Sequence, residues 1–265
     1  EMPAPLRRDV GLLGRLLGRV LEESGGPALL ADVERLRRAT IALRGAAPGD
    51  REAARAEVVA LVAGFDLDRA GLVARAFTVY FQLVNLAEEQ HRVRTLRERS
   101  RDGGTVRESF EAAVGEVRAA AGDAGLAALL DRLEVTPVLT AHPTEARRRA
   151  VVDALLRIGG LLARLDDPRL SAAEEADTHR RLLEEITVLW RTEQLRRERP
   201  TPLDEVRTVA AVFDASVFQL VPDVYRSLER ALVGDAAGTR RPPFRPYLRW
   251  GSWVGGDRDG NPNVT

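Results

Sequence analysis

The sequence contains no cysteine, so neither a disulfide nor a thiolate metal site can form. That fits a reducing compartment, and a cytoplasmic location is the expectation. Lysine is absent too: every basic residue other than histidine is arginine. Schiff-base and lysine general-base chemistry are thereby excluded. Histidine is scarce, at 3 residues (His91, His142, His179), and aromatics make up only 5%. No uninterrupted apolar run reaches the length of a bilayer span. The stretch Glu1-Met2-Pro3-Ala4-Pro5 lacks the basic-then-apolar layout of a secretory signal. With 40 basic and 40 acidic residues the formal net charge is 0, which argues against a dedicated nucleic-acid binder but leaves room for a local basic pocket. Neither nucleic acid nor membrane is expected as a partner.

What is present is helix-forming sequence. The 265 residues can bury a substantial core, and 45% hydrophobic with 30% charged residues is a globular balance. Leucines and valines recur at helical spacing over 6–24 (Leu12, Leu13, Leu16, Leu17, Val20, Leu21) until Ser24-Gly25-Gly26-Pro27 ends the helix. Residues 28–44 repeat the pattern and stop at Gly45-Ala46-Ala47-Pro48-Gly49-Asp50. Helices are expected next over 51–63 and 68–99, the latter burying Phe77, Tyr80, Phe81, Leu83, Val84, Leu86 and Ala87. Within it Asn85, Glu88 and His91 share a face, which suits either a polar cap on helix packing or a ligand site. Ala-rich helix follows over 106–133, interrupted near Gly122-Asp123-Ala124-Gly125.

Residues 146–165 carry Val151, Val152, Leu155, Leu156, Ile158, Leu161 and Leu162, and pairing with 171–198 would make a helical hairpin. His179, within the second of these, reads as a solvent-facing residue without a role. Residues 204–233 form another helix, broken near Val221-Pro222.

Two segments interrupt this helical order. In Val135-Thr136-Pro137-Val138-Leu139-Thr140-Ala141-His142-Pro143-Thr144-Glu145, the apolar residues Val135, Val138 and Leu139 suit a short buried strand. Pro143 ends it, and Thr144 is an N-cap for a helix opening with Arg147, Arg148 and Arg149. A histidine at a strand-to-helix junction beside arginines presents a titratable group near an anion, although for a lone histidine the commoner arrangement is one hydrogen-bonded within its loop.

The second segment, Tyr247-Leu248-Arg249-Trp250-Gly251-Ser252-Trp253-Val254, leads into Gly255-Gly256-Asp257-Arg258-Asp259-Gly260-Asn261-Pro262. Glycines flanking Asp-Arg-Asp permit close backbone approach to an anion or substrate, or a structural turn holding an Asp–Arg pair. Calcium is excluded, because Gly260 stands three residues after Asp257 and no later glutamate closes a cage. Two β segments more than a hundred residues apart make no stable sheet on their own, so their partners are expected outside this chain.

The motifs themselves resemble those of the phosphoenolpyruvate carboxylase family. The matches are Asn85-Leu86-Ala87-Glu88 with His91, Leu139 to Glu145 with Arg148 and Arg149, Leu189-Trp190-Arg191-Thr192-Glu193 through Arg196 and Arg197 to Pro200-Thr201-Pro202-Leu203-Asp204-Glu205, and Gly251 to Pro262. They occur in the family's order over about residues 80–265, and the earlier residues add a compatible helical pattern. Arg147 and Arg191 depart from it, standing where the family commonly has a neutral residue and often Gln.

This resemblance implies a mostly α chain, with long helices plus the first strands of an incomplete α/β (TIM-like) barrel. It implies a helical region over 1–134 and the start of the barrel region over 135–265. The implied enzyme, a carboxy-lyase, joins phosphoenolpyruvate and bicarbonate to give oxaloacetate and phosphate, an anaplerotic supply to the tricarboxylic acid cycle. It works as a homotetramer with Mg²⁺ or Mn²⁺, whose ligands lie downstream of this chain. His142 matches the catalytic histidine, suited to removing the carboxyphosphate proton. Arg258, flanked by Asp257 and Asp259 and followed by Asn261, is the cationic candidate at the mouth of the site. Arg148, Arg149, Arg196 and Arg197 match arginines that bind a sugar-phosphate activator in some members. The 265 residues alone are expected to be inactive. The alternative is a non-catalytic helical phosphate-binding or regulatory module derived from that family.

Overall fold

A computed structural model of the chain describes residues 2–101, 105–139, 148–194 and 201–253. These residues are mostly helical and pack as two compact units, each assembled from two stretches of chain. Unit 1 is Glu1–Arg94 with Arg148–Gln194, and unit 2 is Thr95–Arg147 with Leu195–Thr265.

In unit 1, α1 (Ala4–Gly45) consists of two arms that fold back on each other. The reversal is at Gly26, whose φ of 76° and ψ of 169° a residue with a β-carbon adopts only under strain. Pro27 then opens the second arm, where its missing N–H leaves no helical bond unmade. Leu30 of the second arm lies 3.7 Å from where a β-carbon on Gly18 would sit, so the arms pack face to face. The two helices expected over 6–24 and 28–44 are these arms. The short α2 (Arg51–Ala63) coincides with the expected third helix, though no residue on it is fully buried.

The long α3 (Leu67–Arg101) buries Val73, Ala76, Val79, Leu83 and Ala87. The expected face was partly misplaced: Phe81 is 59% exposed, while Phe77, Tyr80 and Leu86 only pack against the edge of the core. Which side of α3 is covered is decided by the neighbouring helices of the core rather than by its own apolar content, and Phe81 lies on the uncovered side. By length and composition α3 is apolar enough to cross a bilayer, but its buried residues lie in the unit 1 core.

The expected hairpin is made by α5 (Arg149–Arg164) and α6 (Ala172–Arg191). Val151, Ala154, Ile158 and Leu162 pack in one core with Leu182, Ile186, Leu189 and Trp190. Val152 and Leu156, assigned to that face from sequence, are 41% and 63% exposed, because the stripe a two-helix contact needs is narrower than the apolar run. A capping box between Ser171 and Glu174 starts α6, and His179 on it is half-buried rather than solvent-facing.

An ion network ties these helices together. Arg94 on α3 reaches Asp9 on α1 at 2.6 Å and Asp166, after α5, at 2.7 Å; Gln90 adds a 2.8 Å hydrogen bond to Asp166. Asp9 is almost wholly buried. Burial on its own would raise the Asp166 pKa, but hydrogen bonds from Arg94 and Gln90 hold the carboxyl below its ordinary value.

In unit 2, α4 (Phe110–Leu130) is capped by Ser109 and kinks at Gly122, φ 67°, where the sequence predicts an interruption. A capping box between Thr201 and Asp204 starts α7 (Pro202–Val212), which runs through a π-turn at Phe213–Val217 into α8 (Phe218–Val233). The irregularity therefore precedes the expected break at Val221-Pro222, and Pro222 lies inside α8. Pro222 cannot bond the Phe218 carbonyl four residues back, and the widened turn ends immediately before that residue.

Contrary to expectation, the two β segments pair with each other. β1 (Val138–Leu139) and β2 (Gly251–Ser252) run parallel, with Val138 opposite Gly251 and Leu139 opposite Ser252, after a parallel bridge between Val135 and Leu248. Val135 and Val138 are 43% and 48% exposed instead of buried, since a two-stranded ribbon covers only part of its surface.

Candidate functional site

The candidate site is approached through that parallel pair. Four backbone hydrogen bonds fix its register: Val135 N–H to Tyr247 O at 2.8 Å, Arg249 N–H to Val135 O at 3.0 Å, Gly251 N–H to Pro137 O at 3.0 Å, and Trp253 N–H to Leu139 O at 2.9 Å. The Tyr225 hydroxyl on α8 accepts from the N–H groups of Tyr247 and Leu248, at 2.9 and 3.1 Å. Trp250 packs edge-on against Phe213 of the π-turn at 5.2 Å. Helix α8 and the turn before it thus hold β2 while β2 holds β1.

Parallel pairing has a direct consequence for the chemistry. The C-terminal ends of the two strands, Leu139 and Ser252, stand side by side. His142 follows Leu139 by three residues, and Asp257 follows Ser252 by five. His142, Asp257, Arg258, Asp259 and Asn261 themselves lie outside the described residues, as do Thr144, Arg196 and Arg197.

Of the candidate anion-binding arginines, Arg148 and Arg149 are described. Arg148 is the N-cap residue of α5, the position expected for Thr144, and its guanidinium forms an ion pair with Glu193 beyond the end of α6. Arg149 is 75% exposed and 3.8 Å from Asp153. Next to Glu193, the Gln194 side chain donates to the Leu189 carbonyl at 3.2 Å and accepts from Gln82 of α3 at 2.9 Å. The open end of the α5–α6 hairpin is therefore fastened to α3 immediately before residues 195–200. Glu193 stood out only as part of a motif, and neither it nor Gln82 was assigned a partner from sequence, because 45 and 112 residues of separation leave no local spacing signal.

The polar face on α3 is not a closed ligand set: Asn85 and Glu88 are exposed and His91 is half-buried. Among the described residues no group of three His, Asp or Glu side chains is arranged to hold a metal ion.

A sequence profile described as phosphoenolpyruvate carboxylase matches residues 6–265. The chain belongs to the phosphoenolpyruvate carboxylase family. A phosphoenolpyruvate carboxylase of Roseiflexus castenholzii is 42% identical over 263 residues, covering 98% of this chain and 28% of that protein. One from Pseudomonas paraeruginosa is 39% identical over 272 residues, covering 100% of this chain and 30% of the relative. A third, from Rhodopseudomonas palustris, is 37% identical over 274 residues, covering 100% and 28%. The chain thus spans under a third of the length of the phosphoenolpyruvate carboxylases it matches, and the similarity includes the helical arms of α1 that carry no recognisable motif.

Proposed function

We propose that this chain supplies the N-terminal part of an enzyme that carboxylates phosphoenolpyruvate with bicarbonate, giving oxaloacetate and phosphate. Family membership supports the reaction, and one structural observation supports the site: the parallel register that brings the ends of β1 and β2 together. On this reading β1 and β2 are the first strands of a barrel. Its chemistry sits at the strands' C-terminal ends, as in barrel enzymes generally. Residues 1–134 are then a helical region preceding the barrel region that begins at 135.

The reaction proceeds by phosphoryl transfer from phosphoenolpyruvate to bicarbonate, which yields carboxyphosphate and an enolate. His142 acts as general base on the carboxyphosphate proton; loss of that proton releases CO₂ and phosphate, and the enolate carbon attacks CO₂. Arg258 supplies positive charge to phosphate oxygens, with Asp257, Asp259 and Asn261 holding the loop around it. Arg148, Arg149, Arg196 and Arg197 form an anion-binding cluster for a phosphorylated activator. Arg149 is the more available of the two described members, since Arg148 is engaged by Glu193. Mg²⁺ or Mn²⁺, bound by residues beyond this chain, supplies electrostatic stabilisation; assembly is a homotetramer in the cytoplasm.

The test is oxaloacetate formation, followed by coupling to malate dehydrogenase. A protein extended to the length of the relatives is expected to be active, and His142→Ala to lower kcat by about 10²–10⁴-fold. The 265-residue chain alone is expected to give no rate above its own His142→Ala control. Full activity in the extended His142→Ala protein would overturn the assignment of the base.

A further inference from the structure

The start of α5 is built differently from the starts of α6 and α7. Those two helices open with a capping box and with two acidic residues in the first turn. The N-cap of α5 is Arg148, whose side chain makes no capping hydrogen bond; Arg149 follows it, and the first turn contains no acid. Cations at the positive end of a helix are unfavourable, and an anion placed there relieves them. In the structure an anion arrives from 45 residues away: the Glu193 carboxylate pairs with the Arg148 guanidinium.

That pair is built to be displaced. Glu193 stands one residue past Thr192, the C-cap of α6, so its side chain can leave Arg148 without unwinding a helix. The Arg148 and Glu193 side chains are 39% and 38% exposed, so a dissolved anion can reach them. An ion pair this exposed is weak, about two- to fivefold in an equilibrium constant. Arg149, 75% exposed, is engaged only loosely, 3.8 Å from Asp153. A phosphate dianion carries more charge than a carboxylate and has oxygens enough to accept from two arginines at once.

Resting on the reading of Arg148, Arg149, Arg196 and Arg197 as a site for a phosphorylated activator, we propose that Glu193 is a tethered competitor for that site. It occupies Arg148 while the site is empty, and the activator must displace it. The carboxylate thereby sets the concentration at which the activator binds, because apparent affinity falls with the fraction of chains in which Arg148 is already taken.

The probe is inorganic phosphate above its second ionisation, titrated into the 265-residue chain at constant ionic strength. Binding is followed by ³¹P line broadening, with far-ultraviolet circular dichroism verifying the fold of every variant. Glu193→Gln is expected to tighten phosphate binding about two- to fivefold. Arg149→Gln should weaken it in the unsubstituted and Glu193→Gln chains alike. In an Arg148→Gln background, Glu193→Gln should change nothing, because the arginine it competes for is gone; a general field effect of the carboxylate would persist there. No saturable phosphate binding in either chain, or binding that Arg149→Gln leaves unchanged, would overturn the anion-cluster reading and the competitor with it. Binding that needs Arg149 but is no tighter in folded Glu193→Gln, or tightening that survives in the Arg148→Gln background, would overturn the competitor alone.

Discussion

The two units are built from similar lengths of chain but bury very different interiors. Among the described residues, the unit 1 core contains 20 buried residues from α1, α3, α5 and α6, whereas that of unit 2 contains five, Val114, Leu126, Leu130, Leu228 and Tyr247. Unit 1 adds the Arg94 network to its apolar packing. Unit 2 leaves Phe218, Leu220, Trp250 and Trp253 between 40% and 69% exposed and relies on local devices, the Thr201–Asp204 capping box and the Tyr225 hydroxyl. The described strand ends that lead to the two candidate catalytic segments, Leu139 and Ser252, are in unit 2. The less stably packed part of a protein is where functional loops are commonly found, and the contrast suits a division between scaffold and site.

The strongest way to break this comparison is at Arg94. Among the described residues, removing it leaves buried Asp9 with the exposed Arg8 at 3.1 Å as its remaining cation, and Arg94→Ala is expected to cost about 3–5 kcal/mol in a denaturant titration of unit 1. Core truncations sharpen it. Ile158→Ala should destabilise unit 1 by about 2–5 kcal/mol, and Leu228→Ala, in the thinner core, by the lower part of that range. Equal losses by pulse proteolysis would remove the distinction.

A smaller effect is expected at Tyr225→Phe, which leaves two backbone N–H groups without their acceptor. We expect about 1–3 kcal/mol, read as lost hydrogen-exchange protection at Tyr247 and Leu248, with the unit 1 amides unchanged.

Acid provides the mildest probe. The Asp166 carboxyl titrates below its ordinary value in the folded state, so its contribution to stability is fully present above about pH 4, the unfolded value, and is lost as pH falls through the folded one. Asp166→Asn should flatten that acid limb in unit 1 and leave unit 2 unaffected.

Much of the helical layout was legible because it depends on local chemistry. Gly26-Pro27 reads as a break wherever it occurs, and Gly122 likewise marks the kink in α4. The faces of the helices were less legible. Phe81, Val152 and Leu156 are as apolar as their buried neighbours, and only the partner helix decides which side is covered. The π-turn at Phe213–Val217 was invisible because the residues inside it carry no distinguishing signal, whereas Pro222, which does, is accommodated within α8.

For the candidate site, sequence alone determined the identities: a histidine after one short apolar segment, an arginine between two aspartates after another, and two arginine pairs, Arg148 with Arg149 and Arg196 with Arg197. Those types and their order were enough to establish the family. Only the tertiary structure decided that the two β segments are neighbours, parallel and in register, and that Glu193 meets Arg148 across the open end of the hairpin. Both are contacts between residues 45 or more positions apart. Pairing over such distances is fixed by the packing of whole helices, which no local pattern encodes.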